Sequence, residues 1–401
     1  VLQTSLAIID TYLRNNEKDR ALAAALTLLD THPDSVIANA ALGTVYLSRQ
    51  ENNKASQAFR DTLALDSDNV TANRGLATLA VQAGKPEEAK TYYRKILQSY
   101  PGELSTSMNL AYLSALDGNV DEMKAVLEKT IEANPRSLLP RLALSRYYSR
   151  QGDYEKVVDI LEPVRLTAKG GFDYLKMLSE AQYRTGDYVN ARKSLEALVE
   201  IAPDNASAHY LLVMSLLQLR NNEGIRGKLE RVLALDSEHI GARILSIELM
   251  IIDGNVSAAR ENIEILKKQS GDTVDVFLLE GRLASSTGDY KAAVSAYQRA
   301  FEMKETNINL LKLEEATWNS GDQAAAIDLL ISWLAKLPTD QASSARLASR
   351  YMAMGKESDA ITVYSGMLKQ TPDNVATMNN LAWLLQDSDP KQALEYAEKA
   401  Y

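Results

Sequence analysis

Small and apolar residues recur along the chain at a spacing of 34 residues, and each follows a glycine by five positions. The glycines are separated by 34 residues or a multiple of 34, with one gap of 33: Gly84, Gly118, Gly152, Gly186, Gly254, Gly288, Gly321 and Gly355. The small or apolar residues are Ala89, Met123, Val157, Ala191, Ala259, Ala293, Ala326 and Ala360. A fixed period of this length is typical of a solenoid. The pattern therefore predicts an all-α chain whose units are each helix, turn, helix and turn.

The turns between paired helices share a short pattern, which reads TGDY at 185–188 and 287–290 and QGDY at 151–154. Glycine tolerates the left-handed conformation that ends many helices. The Asp or Asn that follows can accept hydrogen bonds from the free amides of the next helix. We therefore expect the glycine to end one helix and the next residue to begin another. The tyrosines that follow, Tyr154, Tyr188 and Tyr290, are expected to pack over the junction.

Small residues recur in the first helix of each pair, and prolines recur near the end of the second. The small residues are Gly43, Ala77, Ala111, Gly281, Ala348 and Ala382, and the prolines are Pro33, Pro101, Pro135, Pro203, Pro338 and Pro372. Small side chains let paired helices approach closely, because each larger side chain would overpack the interface and destabilise the fold by about 1–3 kcal/mol. A proline pushes the residue before it out of the helical region, and it therefore closes the second helix.

These residues together resemble the tetratricopeptide repeat (TPR). The resemblance is carried by G-D-Y at the turn, by an alanine followed by an aromatic residue, as in Ala293 with Tyr297, and by P-D-N at 203–205 and 372–374. It implies one continuous domain over 1–401, a right-handed α–α superhelix of about twelve repeats whose first helices line a concave groove. The repeats are 2–35, 36–69, 70–103, 104–137, 138–171, 172–205, 206–239, 240–273, 274–306, 307–340, 341–374 and a partial one at 375–401.

The last third of the chain carries a narrower resemblance, from DVFLLEGRLASSTGDYKAAVSAYQRAF at 275–301 through LLISWLAKLPTD at 329–340 to MNNLAWLLQDSDPKQALEYAEKAY at 378–401. These stretches are similar to the TPR-repeat lipoproteins of the PEP-CTERM/exosortase system, the PrsT family of Gram-negative exopolysaccharide producers. The resemblance implies a protein of the periplasm or of the inner face of the outer membrane, held by a lipid anchor upstream of Val1. It also implies a role in exopolysaccharide production or export, or in protein sorting, with polysaccharide as a further candidate ligand.

Composition narrows the classes of partner. The formal net charge is −9 and no block of like charges stands out, so nucleic acid is not an expected partner. The absence of cysteine excludes disulfides and thiol nucleophiles and fits either the periplasm or the cytoplasm. No apolar run is long enough for a transmembrane helix. The chain begins at Val1 and ends at Tyr401 within a helical pattern, so we expect it to be a piece of a longer protein.

Two repeats depart from the pattern. In repeat 7, Arg220 replaces the turn glycine, and Gly224 and Gly227 are expected inside the second helix, where each glycine costs roughly 0.8–1 kcal/mol relative to alanine. In repeat 5, Pro163 is expected inside the second helix and TAKGG at 167–171 replaces the closing proline. We therefore expect an altered superhelical pitch at the junction between repeats 5 and 6 and at the junction between repeats 7 and 8.

No residue pattern indicates catalysis, a metal site or a cofactor. His32, His209 and His239 lie in different repeats without carboxylates or thiols at ligand spacing. The stretch DSDN at 66–69 lacks the glutamate that a calcium loop requires, since Ala77 stands at that place. We therefore expect a non-enzymatic protein.

Binding residues are expected on the concave groove, where the TPR resemblance places the second, fifth, ninth, twelfth and thirteenth residues of each repeat. A basic cluster is predicted from repeats 5 and 6, and a tryptophan cluster from repeats 10 to 12. The basic cluster comprises Arg146, Arg150, Lys176, Tyr183 and Arg184, and the tryptophan cluster comprises Trp318, Trp383, Met352, Asn319 and Asn379.

Each cluster also has a structural interpretation. The basic side chains could be solvated or paired with neighbours such as Glu180. Trp383 could pack against a further repeat, and without one the surface around Leu381, Leu385, Leu394 and Tyr396 would favour self-association. Trp333 lies in a second helix and is expected in the core.

Three classes of function follow. The first is a scaffold of the bacterial envelope that binds other proteins or peptides in the groove. The second is a cytoplasmic adaptor for peptide tails, although the first three repeats lack the Lys and Asn ladder of carboxylate-clamp TPR domains. The third is the TPR arm of a sugar transferase, whose asparagine ladder is represented only by Asn109 and Asn380.

Overall fold

The computed structural model describes residues 2–164 and 171–401, and within these residues every regular element is helical. The chain divides into two compact units: the first comprises 1–203 and 214–221, and the second comprises 204–213 and 222–401. The fold class is all-α, an α–α solenoid, as the sequence predicts. No described helix has both the length and the apolar character that crossing a membrane requires.

The first compact unit is built mainly from twelve α-helices in sequential pairs. They are α1 Leu2–Arg14, α2 Lys18–Thr31, α3 Val36–Ser48, α4 Asn52–Leu65, α5 Val70–Gln82, α6 Pro86–Ser99, α7 Leu104–Leu116, α8 Val120–Ala133, α9 Leu138–Gln151, α10 Tyr154–Leu161, α11 Phe172–Arg184 and α12 Tyr188–Ile201. Each helix packs on the next along the chain, and first helices also touch across repeats at α1–α3, α3–α5 and α9–α11.

Helix α13 Ala206–Gln218 is divided between the units, and the second unit continues with eleven further α-helices. They are α14 Ile225–Leu235, α15 Ile240–Ile252, α16 Val256–Ser270, α17 Val274–Ser286, α18 Tyr290–Met303, α19 Asn307–Asn319, α20 Gln323–Lys336, α21 Gln341–Ala353, α22 Glu357–Gln370, α23 Val375–Leu385 and α24 Pro390–Ala400. The odd-numbered helices of both units begin at the first residues of the repeats defined from the sequence.

The turn chemistry confirms the expectation from TGDY. Gly186 and Gly288 have φ of 83° and 78°, in the region where a side chain with Cβ is strained. The carboxylate of Asp187 accepts from the amide of Asn190, and that of Asp289 accepts from the amide of Ala292. Glycine therefore ends the first helix and aspartate caps the second. The tyrosines after it are half-buried at these junctions.

Small residues in the first helices make room for large rings from the second helices. The Phe59 side chain, 1% exposed, lies between Gly43 on α3 and Gly75 on α5. In the second unit the Tyr297 ring lies against Gly281 in the same way. The predicted role of small residues in close helix packing is confirmed at these positions.

Repeat 5 ends its second helix earlier than the sequence indicated. The prediction that Pro163 lies inside this helix is wrong, because α10 ends at Leu161 and a 3-10 turn, Glu162–Val164, contains the proline. The buried Arg141 donates from its guanidinium to the carbonyl oxygens of Ile160 at 2.7 Å and of Pro135 at 3.0 Å. It thereby satisfies a carbonyl at the interrupted helix end. Of the TAKGG stretch, residues 167–170 lie outside the described residues.

Repeat 7 also differs from expectation. Arg220 adopts the left-handed conformation of the turn glycine that it replaces, with φ of 54°. Gly224 does not lie inside the second helix as predicted, because α14 begins after it and Gly224 is the N-cap residue, with φ of 67°. Gly227 alone lies within the helix, which has 11 residues and no side-chain cap hydrogen bond.

Candidate functional site

The first helices α7, α9 and α11 of the first compact unit expose side chains at corresponding positions of the repeat. On α7 the exposed face includes Tyr112 and Leu116, whereas Thr106, Leu110 and Leu113 are buried. Adding 34 to the exposed positions gives Arg146 and Arg150 on α9, which are exposed, and adding 34 again gives Glu180, which is half-buried, and Arg184, which is exposed, on α11. The repeat thus arranges the exposed side chains in rows that run from one first helix to the next.

The basic cluster lies on α9 and α11, which pack against each other. Arg146 donates to the carboxylate of Asp173 at 2.9 Å, and both side chains are 57% exposed. Arg150 and Lys176 are exposed and make no ion pair with any described residue. Neither does Glu180, the carboxylate that the sequence had suggested as a partner for these cations. The structure therefore brings the basic side chains onto one face and neutralises one of them.

The remaining members of the basic cluster make aromatic contacts. The Arg184 guanidinium lies 5.7 Å from the centre of the Tyr154 ring. The Tyr183 ring packs edge to face on Tyr188, with 5.5 Å between the ring centroids, and burial raises the pKa of Tyr183 above its usual value. Tyr183 is consequently part of the packing between α11 and α12 as well as a neighbour of the exposed cations.

An apolar face beside the basic cluster was missed by the sequence analysis. Its members on α7 and α9 are Tyr112, 63% exposed, Leu116, 67% exposed, and Leu139, 57% exposed, with Met108 and Leu142 half-buried among them. All five occupy positions that the TPR resemblance assigned to the groove. Reading those positions for apolar side chains, rather than for charge and tryptophan alone, would have found this face.

Trp318 in the second compact unit has one face covered by an arginine. The Arg350 guanidinium lies 4.3 Å from the centre of the Trp318 ring. Arg350 is held in turn by Glu314, whose carboxylate is fully buried and accepts from Arg350 at 2.6 and 3.3 Å. Arg346 lies 3.5 Å from the same carboxylate. Trp318 is therefore half-buried in a charged cluster built by α19 and α21, with at most one face open to a ligand.

The other members of the tryptophan cluster differ in exposure. Trp383 on α23 is 57% exposed, and Asn319 and Asn379 are also exposed. Met352 is half-buried, and its sulfur accepts from the Tyr364 hydroxyl at 3.8 Å. Trp333, which the sequence assigned to the core, is 7% exposed and donates from Nε1 to Asp340 at 2.6 Å. That assignment is confirmed.

The surface proposed for self-association is smaller than the sequence suggested. Leu381 and Leu385 are buried, at 0% and 8% exposure, in a core cluster that includes residues of both α22 and α24. Leu394 is 59% exposed and Tyr396 is half-buried. The expectation that all four residues form an open apolar surface is therefore wrong for Leu381 and Leu385.

The described residues hold no group of three or more His, Asp or Glu side chains placed to bind a metal ion. His239 caps α15, where its Nδ1 accepts from the amide of Ala242 at 3.2 Å, and its ring lies 4.3 Å from that of Tyr210. This histidine thus has a structural role.

Comparison with family models supplies the assignment. A tetratricopeptide repeat model matches residues 6–70, 40–103, 74–137 and 176–239, and a second tetratricopeptide repeat model matches 274–307, so that more than half of the chain is covered. The chain belongs to the tetratricopeptide repeat family. TPR domains are generally non-enzymatic scaffolds for protein–protein interaction, and the matching models describe no catalytic family. No curated protein matches this TPR chain.

Several solved structures are similar to this TPR chain at low identity. The Cut9–Hcn1 hetero-tetramer of the APC/C is 13% identical, with a TM-score of 0.41, over 98% of this chain and 92% of that chain. The Naa15/Naa10 complex bound to HypK-THB is 12% identical, with a TM-score of 0.36, over 99% and 75%. PilW, a type IV pilus biogenesis factor, is 20% identical, with a TM-score of 0.38, over 51% and 94%. The family assignment rests on the repeat models.

Proposed function

We propose that this TPR chain is a scaffold that holds a segment of a partner protein on the exposed face of α7, α9 and α11. The observation that carries the proposal is the apolar face, in which Tyr112, Leu116 and Leu139 are between 57% and 67% exposed. Covering one such side chain with a partner contributes up to about 1.5–3 kcal/mol, because it removes apolar surface from water. Interfaces of protein complexes characteristically combine such aromatic and apolar anchors with a polar rim.

Photo-crosslinking in the native host tests this placement. A photoreactive phenylalanine analogue at Tyr112 should crosslink to a discrete protein. The same analogue at Thr91, an exposed position on the second helix α6, should not. Crosslinks of equal yield at both positions, or none at Tyr112, would contradict the proposal.

We further propose that the scaffold acts in the bacterial envelope, in exopolysaccharide production or export or in PEP-CTERM protein sorting. The support is the resemblance in 275–301, 329–340 and 378–401 to lipoproteins of that system. In this proposal a lipid anchor upstream holds the chain at the inner face of the outer membrane. Fractionation of the native host should recover the protein with the envelope. Recovery in the cytoplasm would instead favour the adaptor function.

A second binding surface is proposed around Trp383, because a tryptophan that is 57% exposed can serve as an anchor for a protein or a platform for a sugar ring. Trp383→Ala should weaken binding of purified host exopolysaccharide or of the protein captured in the crosslinking experiment. If it instead abolishes concentration-dependent self-association measured by light scattering, the surface is a contact between copies. If Trp383→Ala changes neither exopolysaccharide binding, nor binding of the captured protein, nor self-association, Trp383 is not part of a binding surface.

A further inference from the structure

We infer that the segment bound on α7, α9 and α11 carries apolar side chains at one end and a group of carboxylates at the other. This inference rests on the proposed function and specifies the chemistry of the partner.

The exposed face of α9 and α11 is basic in a chain that is acidic overall. The chain has 53 acidic and 44 Lys and Arg residues. The face itself presents four cations, Arg146, Arg150, Lys176 and Arg184, and two carboxylates, Asp173 and Glu180. Asp173 pairs with Arg146, as described above. A local excess of positive charge therefore remains at exposed side chains, and it is complementary to an anionic partner.

Two of the rows across the helices change from apolar to basic in one direction, whereas the rows Tyr112, Arg146, Glu180 and Ser105, Leu139, Asp173 end in a carboxylate. The first of the two, at the carboxyl ends of the three helices, is Leu116, then Arg150, then Arg184. The second, nearer their centres, is Met108, then Leu142, then Lys176. A partner segment that follows either of these two rows from α7 to α11 thus meets apolar side chains first and a cation last.

The span of these rows sets the length of the segment. Directly packed helices such as α9 and α11 lie roughly 8–10 Å apart, and three first helices at that spacing extend over about 20 Å from the first axis to the third. An extended chain advances about 3.3 Å per residue, and about six residues therefore cross the face. We expect two or three apolar residues over α7 and α9, followed by two or three carboxylates that reach Arg150, Lys176 and Arg184.

Carboxylates suit the cations better than a diffuse anion does. The guanidinium groups of Arg150 and Arg184 can each donate two parallel hydrogen bonds to one carboxylate. The neighbouring apolar face favours side chains of a peptide, because a nucleic acid backbone would place charge over Leu116 and Leu139. The partner is therefore a protein segment in which apolar residues precede or follow an acidic run.

Selection from a displayed library of random twelve-residue peptides tests the inference directly. Clones enriched on the full chain should contain Asp or Glu clustered within about six positions of Leu, Ile, Phe or Trp, as the span of the face requires. Their affinity should fall about tenfold when Arg150→Glu and Lys176→Glu are combined, as the loss of several exposed ion pairs predicts. Peptides in which Asp and Glu are replaced by Lys should regain affinity for this charge-reversed protein. Lys129→Glu, an exposed cation on the second helix α8, is the matched control and should leave binding unchanged.

The outcomes separate this inference from the proposed function. The enriched peptides could lack carboxylates and bind the Leu116→Ser protein more weakly, but bind the control Val189→Ser protein, substituted on α12, with unchanged affinity. This result would overturn the inference of an acidic segment and keep the scaffold function. Peptides whose affinity is unchanged by Leu116→Ser and by the charge reversals would overturn both the inference and the proposed function. Enrichment of no clone would also count against both, because a linear segment would then not bind. Circular dichroism of each variant checks that the helices are intact.

Discussion

The packing of Phe59 between two glycines predicts that Gly75→Ala destabilises the first compact unit, although alanine is the better helix former. A Cβ added at Gly75 would lie 2.2 Å from Cε2 and 2.3 Å from Cζ of the Phe59 ring. Carbon atoms in van der Waals contact are about 3.5–4.0 Å apart, so the ring would have to move by about 1 Å or more. Gly43 closes the other side of the ring, where an added Cβ would lie 2.5 Å from Cδ1.

The magnitude follows from two opposing terms. Replacing a helical glycine by alanine contributes about 1 kcal/mol of helix propensity. Overpacking a rigid core costs about 1–3 kcal/mol, and the ring is 1% exposed and bounded on both faces. We therefore expect the free energy of unfolding to fall by up to about 2 kcal/mol in Gly75→Ala. Phe59→Ala alone should cost about 3–5 kcal/mol.

A double-mutant cycle isolates the contact. In the Phe59→Ala background the clash is absent, so Gly75→Ala should then stabilise by about 1 kcal/mol. Gly366→Ala on α22 is the control, because a Cβ there meets nothing within 4 Å and should stabilise in both backgrounds. Urea unfolding followed by circular dichroism measures the free energies, and amide exchange in α3 to α5 locates the effect. If Gly75→Ala stabilises the unsubstituted chain as much as Gly366→Ala does, the packing argument is refuted.

Three further predictions concern the second compact unit. Glu314→Ala should lower the free energy of unfolding by about 3–5 kcal/mol, because it leaves Arg350 unpaired in a buried site. The control Glu315→Ala, at an exposed position, should change the free energy of unfolding by less than about 0.5 kcal/mol. Equal effects of the two substitutions in urea unfolding would contradict this prediction. Burial would raise the pKa of Asp340, but hydrogen bonds from Trp333, Ser343 and Asn307 hold it below its ordinary value of 3.8. Its contribution to stability is thus present above about pH 3.8 and lost as the pH falls further, and Trp333 fluorescence should report an acid transition that Asp340→Asn weakens; an identical transition in both proteins would contradict this. Amides of α14 should exchange faster than those of α12, and Gly227→Ala should slow them; equal protection of the two helices would show that the short, uncapped helix is not a weak point.

The features that could be predicted from the sequence are those made by neighbours in the chain. Gly186 and Asp187 build a turn from their own backbone and side chain, so the pattern TGDY identifies a helix end and a helix start without knowledge of anything distant. The small residues facing large rings were likewise predictable, because the 34-residue period aligns them. Local chemistry and a constant period therefore account for the fold class.

The features that could not be predicted depend on long-range contacts or on a choice between local alternatives. The end of α10 is stabilised by Arg141, which reaches Ile160 from an earlier helix. The covering of Trp318 by Arg350 likewise joins two helices that are separated by a whole repeat. At Gly224 the sequence predicted a helix interior, whereas the structure places the residue at the N-cap of α14. The apolar face, in contrast, could have been found from the sequence by reading Tyr112 and Leu116 at their groove positions.

The register of the exposed rows has an evolutionary consequence. Leu116, Arg150 and Arg184 are exposed. Within each of these repeats, other residues end, cap and pack the helices. Substitutions in a row can therefore accumulate at little cost to folding, and natural selection can change the partner without rebuilding the fold. A gene duplication of 34 codons would insert one more first helix and one more place in every row. Recognition and folding can thus be inherited and altered as separate traits.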